Sequence, residues 1–138
     1  MKPILLDTGV IVALLDRSEH RHLDCVRAID AIHAPFVTCE AVVAEACYLT
    51  RGLQGAPAAI LQNVAVGTFQ IPIQLSSCAA AIQRILRKYR DQEVDLADAC
   101  LIHLASELRS GEILTLDRDF VVYRWGANRT FHPILPLW

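Results

Sequence analysis

Four carboxylates in this chain stand where an acid is costly. Asp7 closes the apolar run Ile4-Leu5-Leu6, and Asp117 closes Ile113-Leu114-Thr115-Leu116. A short continuous apolar run reads as a strand buried on both faces of a parallel sheet, and open sheets of that kind bind ligands beyond the carboxyl ends of their strands. Glu45 has Ala41, Val42, Tyr48 and Leu49 three and four residues away, so on a helix it interrupts an apolar stripe. Asp98 does the same among Leu101, Ile102 and Ala105, with Asp95 one turn earlier. Taken singly, each has a local explanation. Asp7 and Asp117 cap the turn or helix that follows, and Glu45 sits at the stripe's margin and reaches water. Asp95 is an N-cap with Asp98 as its capping-box partner. Taken together, the four have one explanation: they converge at one end of the sheet. Bare, such a cluster repels itself and burial raises its pKa values; a divalent cation removes the conflict. All-oxygen ligation selects a hard ion, Mg²⁺ or Mn²⁺, which activates water and offsets the charge on a phosphodiester.

The elements that must position these acids follow from the apolar pattern. Strands are expected at residues 4–6, 35–38, 68–73 and 112–116, with a fifth at 130–132 ahead of Pro133. Helices are expected over 9–15, 20–33 and 40–51, the second with Leu23, Val26, Ile29 and Ile32 on its apolar face. A fourth opens at Gly55 and Pro57 and runs through Val66. A fifth, capped by Ser76 or Ser77, runs to about Tyr89. The last, over 95–109 with Gly111 just beyond it, carries Asp98 on one face and a solvated His103 and Glu107 on the other. Strands alternating with helices predict an α/β fold with a parallel sheet.

With 138 residues the chain has room for one domain, spanning 1–138. Its 54% hydrophobic and 20% charged composition excludes a disordered tail or a fibrous repeat. The net charge of −2 advertises no nucleic acid, so an RNA role must rest on a local patch. Five cysteines, odd in number and never spaced CxxC, read as reduced thiols. With no secretory signal and no apolar run long enough for a bilayer, a soluble cytoplasmic protein without membrane partners is expected.

The motifs Ile4-Leu5-Leu6-Asp7-Thr8-Gly9-Val10, Val42-Val43-Ala44-Glu45, Leu96-Ala97-Asp98-Ala99-Cys100-Leu101-Ile102 and Leu114-Thr115-Leu116-Asp117-Arg118-Asp119-Phe120 come in an order that resembles the PIN-domain nucleases. Within them the chain looks most like the compact VapC-type ribonuclease toxins, over essentially its whole length. The resemblance implies a three-layer α/β/α fold around a short four- to five-stranded parallel sheet. It implies an Mg²⁺- or Mn²⁺-dependent endoribonuclease, a VapB-like antitoxin as partner, and a homodimer. Asp7, Glu45, Asp98 and Asp117 match the four metal-binding acids in turn. Thr8 matches the hydroxyl residue beside the first acid and Thr115 the one before the last. Asp119 is a second candidate for the final acid, and Asp95 is a cap or outer-layer group. In the reaction so implied, Asp7, Asp98 and Asp117 hold the ion or ions, and Glu45 binds a second ion, positions water or takes its proton. Arg118, next to Asp117, is the expected phosphate contact. Arg84, Arg87, Lys88 and Arg90 read as a solvated helix face, and Tyr123 and Trp125 as packing or base-stacking groups. The apolar end 134–138 reads as packing.

Other functions compete with this one. A stand-alone RNA-processing nuclease would carry the same acids, and a non-catalytic PIN-like binding module would use them structurally. Phosphotransfer on Asp7 is disfavoured: Gly9 stands where a dehalogenase-like fold needs a second Asp, and no lysine follows Lys88 as a receiver requires.

Overall fold

The computed structural model describes residues 2–137; the expectation for the chain end at Trp138 lies outside them. Strand β1 (Ile4–Leu6) leads into helices α1 (Thr8–Leu15) and α2 (His22–Ala31), then β2 (Phe36–Val37). Helices α3 (Glu40–Leu49) and α4 (Ala56–Ala65) connect β2 to β3 (Phe69–Gln70). Helices α5 (Leu75–Lys88) and α6 (Leu96–Leu108) connect β3 to β4 (Glu112–Leu114). A 3-10 turn (Arg118–Val121) follows, then β5 (Arg124–Trp125), β6 (Arg129–Thr130) and β7 (His132–Pro133). The main sheet is five-stranded in the order β3-β2-β1-β4-β7, with every pair parallel. The result is the expected three-layer α/β/α fold.

This order places the site. From β1 the chain moves outward through β2 and β3, then returns to lay β4 on the other flank of β1. The carboxyl ends of β1 and β4 therefore flank the switch point, where the connections diverge and leave a crevice. Both strands are buried because they are apolar throughout: Leu5, Leu6, Ile113 and Leu114 are fully enclosed. Leu101 and Leu104 of α6 and Val10 and Ile11 of α1 complete the centre of the core.

Several boundaries differ from the sequence expectation for physical reasons. β3 stops at Gln70, and Pro72 has no N–H to carry a ladder on. β4 stops at Leu114, whose carbonyl accepts the Asp7 N–H at 3.1 Å while the Thr115 hydroxyl turns to Asp7. α5 begins one residue before Ser76, with Gln74 at its N-cap, so neither serine caps it. α2 starts at His22, and Leu23 lies outside the apolar face, 62% exposed. His103 is buried at 9% rather than solvated, with Nε2 3.5 Å from Glu107. The fifth strand of the sheet is His132–Pro133; Thr130 belongs to an antiparallel hairpin of β5 and β6. That hairpin explains Gly111: any side chain there would collide with the Trp125 ring and stand 2.9 Å from the Thr130 carbonyl. All five cysteines are free; Cys25, Cys39 and Cys100 are buried, and Cys47 and Cys78 partly exposed. Among the described residues no helix is long and apolar enough to cross a membrane.

Candidate active site

Each acid is fixed by the element it begins or ends. Asp7 is the N-cap of α1: one carboxylate oxygen accepts the Thr8 N–H at 2.8 Å, and the other accepts the Thr115 hydroxyl at 2.7 Å. The side chain is only 6% exposed. Burial pushes its pKa up to about 6; the two hydrogen bonds pull the other way, and the Asp117 and Glu45 charges add to the rise.

Asp98 is the third residue of α6. Its N–H is taken by Asp95 Oδ1 at 2.8 Å, and its Oδ2 accepts the Asp95 N–H at 3.4 Å, a complete capping box. Burial, then the neighbouring Asp95 charge, raises Asp98 to about 7, and Asp7 contributes. Capping and site membership are therefore joint properties of this residue. Asp117 caps the 3-10 turn, accepting the Asp119 N–H at 2.9 Å, and its own N–H donates to Thr115 Oγ1 at 3.0 Å. Its pKa is also raised, by burial first and then by the Asp119 and Asp95 charges. Thr115 thus ties the first acid to the last through one hydroxyl.

These groups line a single cavity of about 430 Å³. Asp7, Thr8, Gly9, Glu45, Leu49, Asp95, Asp98, Leu116, Asp117 and Asp119 face it, together with Glu93 from the α5–α6 loop. Seven of these eleven residues are acidic and none is basic. Glu45 reaches the cavity from α3, half-buried at the margin of the apolar stripe: Val42 is fully buried, while Tyr48 and Leu49 are 61% and 55% exposed. Arg118 is exposed and does not line the cavity. Glu93 escaped the sequence reading because it sits in a turn, where no periodicity marks an unusual position. A larger cavity of about 630 Å³ lies between the segment after β3, the start of α5 and α6; Glu107 is its one carboxylate, with His103, Cys78 and Ser77 also in its lining.

Among the described residues no three acid, histidine or cysteine side chains already close on one point as a metal set. The carboxylates surround the space, and Asp7, Asp95, Asp98 and Asp117 each spend at least one oxygen on a local backbone or hydroxyl donor. Thr8 Oγ1, buried at the same cavity, has no hydrogen-bond partner.

Comparison with known proteins shows the family and the fold. The PIN domain family matches residues 4–126. Ribonuclease VapC26 of Mycobacterium tuberculosis is 36% identical over 121 residues, which cover 83% of this chain and 87% of the relative. The crystal structure of Mycobacterium tuberculosis VapC20, described as a sarcin-ricin loop cleaving toxin, superposes with a TM-score of 0.80 at 18% identity, covering 91% of this chain and 98% of that one. With the family matched from β1 to the β5–β6 hairpin and the acids at the sheet's switch point, this chain belongs to the PIN domain family.

Proposed function

We propose that this chain is a divalent-metal-dependent endoribonuclease that hydrolyses RNA phosphodiester bonds, acting in the cytoplasm as the toxin of a VapBC-type pair. One observation carries the reading: Asp7, Glu45, Asp98 and Asp117, drawn from four separate elements, face one cavity at the carboxyl edge of the sheet. The similarity to a ribonuclease over most of both chains supports it.

The residues present fit a hard cation. The donor set is all oxygen, Asp7 and Asp98 carry raised pKa values that positive charge would lower, and the Thr8 hydroxyl is a buried polar atom without a partner. Asp7, Asp98 and Asp117, with Glu45, are the residues that would hold Mg²⁺ or Mn²⁺. When bound, the ion acidifies water and neutralises charge on the phosphate undergoing displacement.

The protein's own part is positional. Thr115 and the Thr8 N–H fix both oxygens of Asp7, so its free lone pairs have one direction. The capping box fixes one oxygen of Asp98, which accepts the Asp95 N–H, and leaves the other free. Glu45 is held less tightly and lies at the edge of the cavity, suited to orient the attacking water or accept its proton. Thr8 and Thr115 act on the Asp7 carboxylate, Asp95 holds the Asp98 N–H, and the Asp119 N–H donates to Asp117 while its carboxylate adds to the charge of the cavity. Arg118 stands outside the cavity as a phosphate contact.

For the partner, Tyr48, Leu49, Leu61 and Val66 of the α3–α4 region are exposed apolar side chains running up to the cavity at Leu49. They form a surface suited to a VapB-like antitoxin. A homodimer is the assembly we expect. The test is cleavage of RNA by purified protein with EDTA, Mg²⁺ or Mn²⁺. Cleavage should need the ion and fall at least about 100-fold in both Asp7→Asn and Asp98→Asn. Equal cleavage by the variants would sink the site. RNA binding without cleavage would favour a binding module. Co-expression with the neighbouring small open reading frame should yield a complex; its absence, with cleavage intact, would favour a stand-alone processing nuclease.

A further inference from the structure

The cavity poses an electrostatic problem for its own substrate. Seven carboxylates line it without a single cation, and a nucleic acid strand carries a negative charge at every phosphate. An ion held in the cavity would answer for the reacting phosphate. The flanking phosphates need positive charge outside it.

Helix α5 supplies that charge in an unusual form. Between Leu75 and Lys88 it has no acid at all, yet it carries Arg84, Arg87 and Lys88, which share one face at spacings of three and four. Arg90 follows in the next turn, and all four side chains are exposed. Like charges at this spacing repel, and among the described residues no ion pair answers them. The ion pairs among the described residues are Arg21–Asp24 and His103–Glu107, neither on this ridge. The negative end of the helix dipole accounts for Arg87 and Lys88 in the last turn. It does not account for Arg84, further back, or Arg90, beyond the helix.

The ridge is anchored against the acid site. Three residues past Arg90, a reach of at most about 11 Å, Glu93 already lines the cavity. Tyr89, between Lys88 and Arg90, packs edge-on against Tyr123 with ring centroids 5.3 Å apart, and its hydroxyl accepts the Arg124 N–H at 2.9 Å. Tyr123 in turn feels the charges of Asp98, Asp119, Asp117 and Asp95. Lys88 Nζ lies 5.3 Å from the Tyr89 ring centre. The nearby Arg124 is already committed: its Nη1 donates to the carbonyls of Val121, Val122 and Tyr123 and closes the 3-10 turn.

We infer that Arg84, Arg87, Lys88 and Arg90 form a docking ridge for the phosphodiester backbone of the RNA strand whose reacting phosphate enters the acid cavity. This rests on the ribonuclease reading above and adds to it the path of the strand, along the end of α5 and over the α5–α6 loop. The contacts are to phosphate, so the ridge sets affinity and register and leaves base preference untouched.

The test measures binding of a short, unstructured, fluorescein-labelled oligoribonucleotide by anisotropy, over a KCl series at fixed Mg²⁺. The full chain carries Asp98→Asn so that the RNA survives. Changing all four ridge residues to Gln, a good helix former, should flatten the slope of log affinity against log salt by about 3, at about 0.7 per lost contact on single strands. Arg27→Gln, on α2, serves as the charge control and should leave the slope unchanged. If the fourfold variant does not fold by circular dichroism, Arg84→Gln and Arg90→Gln are measured singly, each expected to reduce the slope by about 0.7. In the otherwise wild-type chain the ridge variants should raise KM and leave kcat nearly unchanged. Equal slopes with and without the ridge would overturn the proposal, as would a parent protein that binds no RNA. Cleavage persisting alongside equal slopes would leave the nuclease reading standing without the ridge. Ridge-dependent binding with no cleavage by the wild-type chain would do the reverse.

Discussion

Removing the charge of Asp7 should stabilise the metal-free protein while abolishing its activity. Asp7 is 6% exposed and its pKa is pushed from 3.8 to about 6. The sign follows from proton linkage. The folded state binds this proton more tightly than the unfolded chain, so stability is fully present below the unfolded value of 3.8 and is lost as pH rises through about 6. At pH 8 the penalty on the fold is about 3 kcal/mol, and at pH 4 about half a kcal/mol. Asp7→Asn keeps the shape and removes the charge; an asparagine oxygen still accepts the Thr8 N–H, and its amide donates to Thr115 Oγ1. For a domain of this size, 3 kcal/mol corresponds to roughly 10 °C in Tm. Thermal unfolding in EDTA should therefore show Asp7→Asn melting up to about 10 °C above wild type at pH 8, with the gap nearly closed at pH 4. Adding Mn²⁺ should raise the wild type and not the variant, narrowing or reversing the gap. A variant less stable than wild type at pH 8 in EDTA would refute the reasoning, as would a gain independent of pH.

Three further outcomes follow from the same geometry. Thr115→Val removes the hydroxyl that serves both Asp7 and the Asp117 N–H, so it should cost about 1–3 kcal/mol in urea unfolding and move the Asp7 titration, followed by carboxyl NMR, to still higher pH. With Asp7 raised to about 6 and Asp98 to about 7, protons compete with any cation for these oxygens. The kcat/KM of RNA cleavage should climb from pH 5 to 8, and the climb should shift to lower pH as Mn²⁺ is increased. Gly111→Ala drives a methyl into Trp125 and the Thr130 carbonyl and should cost about 1–3 kcal/mol by the same unfolding assay, with metal affinity unchanged by calorimetry.

What the sequence revealed depended on whether a residue's role was local or assembled. β1 and β4 were legible because buried parallel strands are apolar throughout, and Asp7 and Asp117 stood out as the acids ending them. Asp98 was legible as a capping partner and as a misplaced charge, and it is both. Glu45 lies at the margin of its stripe, with Val42 fully buried on one side and Tyr48 and Leu49 largely exposed on the other, so burial alone singled it out weakly. Ordered motif spacing found it instead. Glu93 was missed because turns carry no period against which an acid looks out of place. His103 was misread because residue type alone suggested solvent; it is buried beside Glu107, at the end of α6 away from Asp98. The β5–β6 hairpin consists of two-residue strands, too short for alternation to register. The unpartnered hydroxyl of Thr8 belongs to packing in three dimensions and leaves no trace in one.

Capping and the proposed metal-site chemistry look like rival explanations for these acids, yet capping would make a metal site tolerable to the fold. Asp7 caps α1, Asp98 sits in the first turn of α6, and Asp117 caps the 3-10 turn. Three backbone N-termini thus point partial positive charge at the most crowded anions in the molecule. Those dipoles and N–H bonds offset part of the repulsion, enough for a folded protein with Asp7 and Asp98 still strained toward neutrality. A lysine or arginine in the lining would have relieved the remainder, and the cavity has neither. That omission would suit the proposed cation site. An internal side-chain cation would neutralise the carboxylates permanently and compete with any ion for the same oxygens. Backbone dipoles leave the lone pairs facing the cavity free and the electrostatic deficit only partly met, so a captured divalent ion would bind with the energy of that unmet deficit.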